Sequence, residues 1–323
     1  MSYNLHRFDR NSGEQALDIF SGLLLVGLVG IAAQLVDGSL GMGYGVTSAT
    51  LLATLGYSPA VASATIHVAK IGTGLASGAS HWRFGNVHWR AVAMLAVPGA
   101  IGSFVGAFAI SYIAAEVTRP WVSLVLAVLG GLVIARTVLR RSPAIRVYTP
   151  RVRTLGPLGL VGGFVDSIGG GGWGPVTTSS LMAANRMAPN QVIGTVSTSE
   201  IVVAASASIA FLLALGSQGI AWGAMAALLL GGLVAAPFAA WAVSRLDHRV
   251  LGGLVGGMIL FYNTEGVLSL LGLGGEAVVV VRVLIVIGTA VLTLMTWLGR
   301  SDAADDTAPV DPGSSSPTPE PAA

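Results

Sequence analysis

The sequence predicts an all-α polytopic membrane protein made of two homologous repeats, inverted relative to each other, each with a glycine-broken re-entrant helix pair followed by three transmembrane helices. Three observations carry this. Of 323 residues 53% are hydrophobic and only 10% charged, where soluble domains carry about 25% charge. Apolar windows of about 20 residues, long enough for a ~30 Å hydrocarbon layer, recur along the chain. Finally, the run V-D-S-I-G-G-G-G-W-G-P at 165–175 is echoed by V-D-G-S-L-G-M-G-Y-G at 36–45. The apolar runs are continuous and rich in Leu, Ala, Val and Gly, without the alternation of an outer-membrane barrel.

The chain divides accordingly. Residues 1–15 are polar and expected to fray, and they lack the build of a cleaved signal. Repeat 1 (16–139) holds apolar segments at 16–36, 46–56, 59–80, 91–113 and 120–139. A basic loop at 140–154 follows. Repeat 2 (155–298) holds segments at 155–168, 175–184, 190–215, 220–243 and 250–271, with a last span at 277–298. The tail at 299–323, rich in Pro, Ser, Ala and Asp, is expected to be disordered for want of apolar content.

The repeats match beyond the glycines. Asp37 aligns with Asp166, Gly41 and Gly43 with Gly170 and Gly172, Tyr44 with Trp173, and Gly45 with Gly174. Each break leads to a short helix, a proline turn (Ser58-Pro59, Ala188-Pro189) and a helix with small polar residues, S-A-T-I-H-V-A-K at 63–70 against I-G-T-V-S-T-S-E at 193–200. Thr65 thus faces Thr195 in the alignment, and Lys70 faces Glu200. Such duplication is a common route to a transporter.

Orientation follows from arginine. If each broken pair returns to the side it entered from, each repeat crosses three times and the second is upside down. With the basic loop cytoplasmic, Arg83, Arg90, Arg136, Arg140, Arg141, Arg146, Arg151, Arg153, Arg186, Arg245, Arg249 and Arg300 lie inside, and Arg7, Arg10 and Arg119 outside, as the positive-inside rule requires. Full crossing of both pairs would move Arg245 and Arg249 outside, a worse fit.

The breaks are the candidate site. Irregular backbone survives at membrane depth only when buried in protein or lining a wet cavity, because an unsatisfied peptide group costs several kcal/mol there. Bare glycine N–H groups, with a helix beginning after Pro175, suit an anion. Candidate substrate-binding residues are Gly41, Gly43, Gly45, Gly169, Gly170, Gly171 and Gly172, with Lys70 as counter-charge and Thr65, Thr195, Ser197 and Ser199 as hydrogen-bond donors. A lone lysine at mid-helix must face the protein interior. It either balances the anion or is neutralised by Glu200, and the two roles are compatible if the pair opens.

Asp37 and Asp166 either carry a proton or brace the bends through backbone N–H groups. Bracing is the favoured reading, since a fixed negative charge repels an anion. His67, with the coupling or bracing group, is more often a core residue than a ligand. Tyr44 and Trp173, inside the breaks, either gate the path or pack. Trp82, Trp89, Trp121, Trp222 and Trp297 fit an interfacial belt. No residue pair has metal-site spacing and no cofactor motif is present. Cysteine is absent, which removes disulfides and thiolate chemistry, and a net charge of +2 gives no reason to invoke nucleic acid.

The duplicated D-x-x-x-G-x-G-x-G breaks, the proline turn before a small-polar helix and the R-x-G-x-V-x-W-R loop at 83–90 together resemble the sulfite exporter TauE/SafE family of membrane permeases, over about 20–298. The resemblance implies a multi-pass protein of the inner (plasma) membrane that moves sulfite, sulfoacetate or related sulfur-containing anions, usually outward. Repeat 1 departs from the pattern, with Gly-Met-Gly-Tyr-Gly in place of the denser glycine run and Val46 where repeat 2 has Pro175. The expected function is a secondary transporter of a small anion, alternating access around a midplane site, with the bilayer and protons as further partners. The alternative is an intramembrane enzyme acting on a lipid phosphate. It calls for clustered acids or an interfacial Ser/His pair, and the sequence displays neither. A scaffold role is disfavoured by the duplicated polar residues inside the apolar segments.

Overall fold

A computed structural model describes residues 5–40, 42–137, 151–184, 187, 189–243 and 248–305. They form eleven α-helices and no strand: α1 Leu5–Leu40, α2 Tyr44–Thr54, α3 Pro59–Arg83, α4 Trp89–Ser111, α5 Ala115–Thr137, α6 Val152–Gly169, α7 Ser179–Ala184, α8 Pro189–Leu215, α9 Trp222–Val243, α10 His248–Ser269 and α11 Glu276–Asp305. Five of these helices are long and apolar enough to cross a membrane, in the windows Ser21–Gly38, Trp89–Ser111, Ala115–Ala135, Asn190–Leu215 and Glu276–Met295.

Most boundaries follow from capping and turn chemistry. Proline at the first position of α3 leaves no orphan N–H there, and Ser58 Oγ accepts from Val61 N at 3.4 Å. Gly170 closes α6 in the left-handed region at φ 73°, a conformation that favours glycine. Three boundaries differ from expectation. Helix α1 begins at Leu5, not near residue 16. Residues 5–15 hold no proline, so a helix nucleated by the apolar run propagates back through them. Helix α11 runs through Ser301 to Asp305, because the Ala-rich start of the tail continues a helix at little cost. After the second break the chain first makes a π-helical turn, Gly174–Thr178, before α7. Residues 306–323 of the tail and 138–150 of the basic loop lie outside the described residues.

The helices pack in matched pairs. Helix α4 lies along α6, and α9 lies along α1. Both contacts use glycine to bring backbones together: a Cβ on Gly102 would overlap Leu160 O, and one on Gly231 would overlap Gly27 O. Helix α3 packs on its counterpart α8, and α5 on α10. Helix α11 is peripheral, with 6% of its apolar window buried.

Candidate functional site

Helices α1 and α6 both end, and α2 and the π turn both begin, at one place in the protein interior. Asp166 is fully buried and accepts from Trp173 N at 3.0 Å, so it caps the helix that restarts after the second break. Asp37 does the same at the first break, accepting from Tyr44 N at 3.4 Å. Seven residues separate carboxylate and amide in both copies.

The two breaks touch. A Cβ on Gly171 would lie 2.6 Å from Val46 Cα, closer still to Val46 N, and one on Gly45 would lie 2.5 Å from Gly171 Cα. Only glycine at both positions allows this approach. The same imagined Cβ on Gly45 falls 2.8 Å from Lys70 Nζ, which sets the lysine ammonium directly against the junction.

Lys70 Nζ, 4% exposed, bridges two carboxylates: Asp166 Oδ1 at 2.9 Å and Glu200 Oε1 at 2.8 Å. His67 Nε2 lies 3.0 Å from the other Asp166 oxygen, and its Nδ1 lies 2.8 Å from Ser63 O. Asp166 therefore receives a lysine, an imidazole and a peptide N–H, and is held from three directions. Among the described residues Glu200 is held from one, by Lys70, and its side chain is 18% exposed. Breaking a buried ion pair by removing one partner costs about 3–5 kcal/mol, so Asp166 is the firmer anchor of Lys70.

Beside Lys70 is a polar cavity of about 10 Å³, lined by Gln34, Asp37, Tyr44, Thr73, Ser77, Ser197 and Glu200. It has room on the scale of one water molecule. A far larger cavity of about 550 Å³, a vestibule, is walled mainly by α2, α5 and α10 with contributions from α3, α6 and α11, and is lined by Ala49, Leu126 and Gly169 and by the charged Glu116, Arg119, Glu265 and Arg282. This vestibule reaches Gly169 at the second break, and the charged cluster sits against the junction of the two breaks.

Of the residues singled out from sequence, Gly45, Gly170, Gly171, Lys70, Asp166, Glu200 and His67 converge here, and Asp37, Tyr44 and Ser197 line the small cavity. Gly43 makes the first turn at φ 130°. Gly169 borders the vestibule, and Gly172 packs against Val165 and Asp166. Gly41 lies outside the described residues. Thr65 and Thr195 stand away from the cluster in equivalent roles: Thr65 Oγ1 accepts from Ala221 N and Thr195 Oγ1 from His88 N, both at 3.0 Å, tying α3 and α8 to the starts of α9 and α4. Ser199 Oγ donates back to Val196 O. Trp173 is fully buried, donates Nε1–H to Val196 O at 3.1 Å and packs on Gly99 and Gly162. Tyr44 donates its hydroxyl to Leu228 O at 3.1 Å. In this conformation both aromatics anchor the broken helices to their neighbours.

Sequence reasoning missed several polar groups. Thr47 Oγ1 and Ser48 Oγ, in the first turn past the break, are buried and have no hydrogen-bond partner among the described residues, an arrangement that calls for an explanation in a native interior. Their position just after the glycines was the available signal. Gln34, Thr73 and Ser77 carried none beyond being polar in apolar helices. Asn263, which donates to Thr50 Oγ1 at 3.1 Å on the vestibule wall, was equally silent.

A family model described as sulfite exporter TauE/SafE matches residues 26–264. The chain is 44% identical over 249 residues to the "Probable membrane transporter protein YtnM" of Bacillus subtilis (strain 168), covering 76% of this chain and 83% of that one. No solved structure matches the chain.

Proposed function

The chain belongs to the sulfite exporter TauE/SafE family, and from that premise we propose that it is a secondary transporter of a small anion, such as sulfite or an organosulfonate, whose path crosses the glycine junction beside Lys70. Membership of the family makes the protein a membrane transporter, not an enzyme, and its helices suit a membrane location. The observation that carries the rest is the meeting of two backbone breaks against a buried ammonium. Asp37 and Asp166 already occupy the positive ends of the restarting helices, so the group left to meet a travelling anion is Lys70. Thr73, Ser77 and Ser197, which line the small cavity with Lys70, are hydroxyls at hand to complete its coordination.

The alternating-access part of the reading draws on geometry. Helix α2 has 11 residues, about 16 Å, roughly half the hydrocarbon thickness. Its far end is close to Arg119, whose Nη2 donates to Gly56 O at 3.4 Å, while the far end of α7 leads to Pro189 and Asn190, which bonds Asn86 on the α3–α4 loop. The α9 start, adjacent to Leu23 of α1, shares the Gly56 side through Thr65 and Ala221. These contacts support two re-entrant pairs entering from opposite faces, with repeat 2 inverted on repeat 1, and the arginine distribution puts Arg119 outside an inner (plasma) membrane. The vestibule then opens outward, and the small Lys70 cavity must widen for a substrate to pass. Outward flux is the direction carried by the family's name.

The test is flux. Proteoliposomes loaded with labelled sulfite, sulfoacetate, sulfate or acetate should release one or more of them faster than empty vesicles. Equal leak of every anion, matching protein-free vesicles, overturns the reading.

A further inference from the structure

The charges around Lys70 do not balance. Three carboxylates, Asp37 on α1, Asp166 on α6 and Glu200 on α8, gather about one lysine, and a charged His67 would still leave three against two. Tyr44 on α2 adds a phenol whose proton is given to Leu228 O. Among the described residues, α4, α7 and α9, which also pack on this region, send no titratable side chain to the small cavity. A second anion entering this cavity would meet a negative excess at close range and low effective dielectric, where like charges repel by several kcal/mol.

One carboxylate is placed to relieve this. Asp166 is locked by Lys70, His67 and Trp173 N, and Asp37 caps Tyr44 N. Among the described residues Glu200 pairs with Lys70, at 2.8 Å, and its side chain reaches the cavity. A proton added to the Glu200 carboxylate removes one negative charge and, in the same step, weakens its hold on one Lys70 N–H. That N–H then turns to the anion, while Asp166 keeps the ammonium in place.

Resting on the anion-transport reading above, we infer that a proton travels with the anion, carried by Glu200, so that protein-mediated flux is a one-to-one anion–proton symport. Loss of the proton restores the Glu200–Lys70 pair and expels the anion, so the empty carrier returns with its lysine neutralised. Outward movement then runs on the anion's own concentration gradient, and an acid exterior drives uptake.

The experiment uses methanesulfonate, whose charge is fixed across the working pH range, so that any proton moved belongs to the protein. Counterflow of labelled against trapped unlabelled methanesulfonate, at equal pH on both sides, establishes transport; its absence for every anion tried would count against the function rather than the coupling. Given counterflow, an exterior one pH unit more acid should drive accumulation towards about tenfold, the ratio at which a one-to-one electroneutral symport balances, and a protonophore should abolish it. The apparent Km should rise with pH, by up to about tenfold per unit. Glu200→Gln, a mimic of the protonated form, should give counterflow that is flat with pH and no accumulation, whereas Asp37→Asn should remain coupled. Should Glu200→Gln not be recovered folded, Glu200→Asp keeps a carboxylate and should accumulate the anion with a displaced pH profile. Native counterflow without pH-driven accumulation overturns the symport, as does accumulation driven by a sodium gradient alone. Accumulation by Glu200→Gln, or its loss in an Asp37→Asn protein that still gives counterflow, overturns the assignment to Glu200.

Discussion

Adding a single methyl group at Gly171 attacks the junction at its closest point. In Gly171→Ala the new Cβ would sit 2.6 Å from Val46 Cα and nearer still to Val46 N, with the carbonyl carbon of Gly45 also in overlap. Ordinary carbon contacts lie near 3.5–4.0 Å, so clearing the nearest atom, Val46 N, requires the tips of the two breaks to part by about 1.5 Å. Every atom in the way is backbone, which has no rotamer to escape into. Overpacking a tight interior costs about 1–3 kcal/mol, and a backbone-to-backbone clash belongs at the top of that range. A cost of about 3 kcal/mol corresponds to a fall in Tm of roughly 6–12 °C by the scaling of mid-sized domains. The assay is thermal unfolding in detergent, paired with anion counterflow in proteoliposomes. Gly131→Ala, in α5 with open space at its Cβ, is the control and should match native in both. A Gly171→Ala protein with native Tm and native counterflow would refute the claim that the breaks meet in the state that carries substrate.

Other perturbations separate the roles within the cluster. Asp166→Ala strips the cap from Trp173 N and an anion from both Lys70 and His67, and should cost about 3–5 kcal/mol; Asp166→Asn, which keeps an acceptor for Trp173 N, should lose less in the same unfolding assay. Trp173→Phe deletes the bond to Val196 O and should cost about 1 kcal/mol for that bond plus about 1 more for the lost ring, leaving the Km for the anion within twofold. Orientation is accessible through thiols, because the chain has no cysteine. Thr54→Cys, exposed at the vestibule, should react in intact cells with a membrane-impermeant thiol reagent, whereas Ser80→Cys, exposed near the opposite end of α3, should react only after permeabilisation. The reverse pattern would turn the protein over.

Legibility differed between fold and site for physical reasons. Apolar windows, proline turns and duplicated glycines are local signals, and helix boundaries followed them to within a few residues for α3, α4 and α8. Boundaries slipped where a helix could extend at little cost, at Leu5 and Asp305, because propagation needs no apolar signal once a helix is nucleated. At the site, alignment of the repeats put Lys70 opposite Glu200, and the two form an ion pair at 2.8 Å. The repeat alignment could not show that Lys70 also holds Asp166, since that contact depends on how α3 packs against α6. Thr65 and Thr195, small polar residues in apolar helices, were indistinguishable by composition from substrate ligands; only the fold reveals that each receives a backbone N–H from a distant helix start. The vestibule is a property of helices distant in sequence, from α2 to α11, and leaves no trace in any one stretch.

On the proposed path the anion binds at the ammonium of Lys70, set against the paired glycine breaks. Counterflow of labelled methanesulfonate or sulfite into matched proteoliposomes of native protein and Lys70→Gln, each first verified as folded by its unfolding transition, measures this directly. The native protein is expected to show a transient overshoot above equilibrium and Lys70→Gln none. An overshoot of native height from Lys70→Gln would contradict the account.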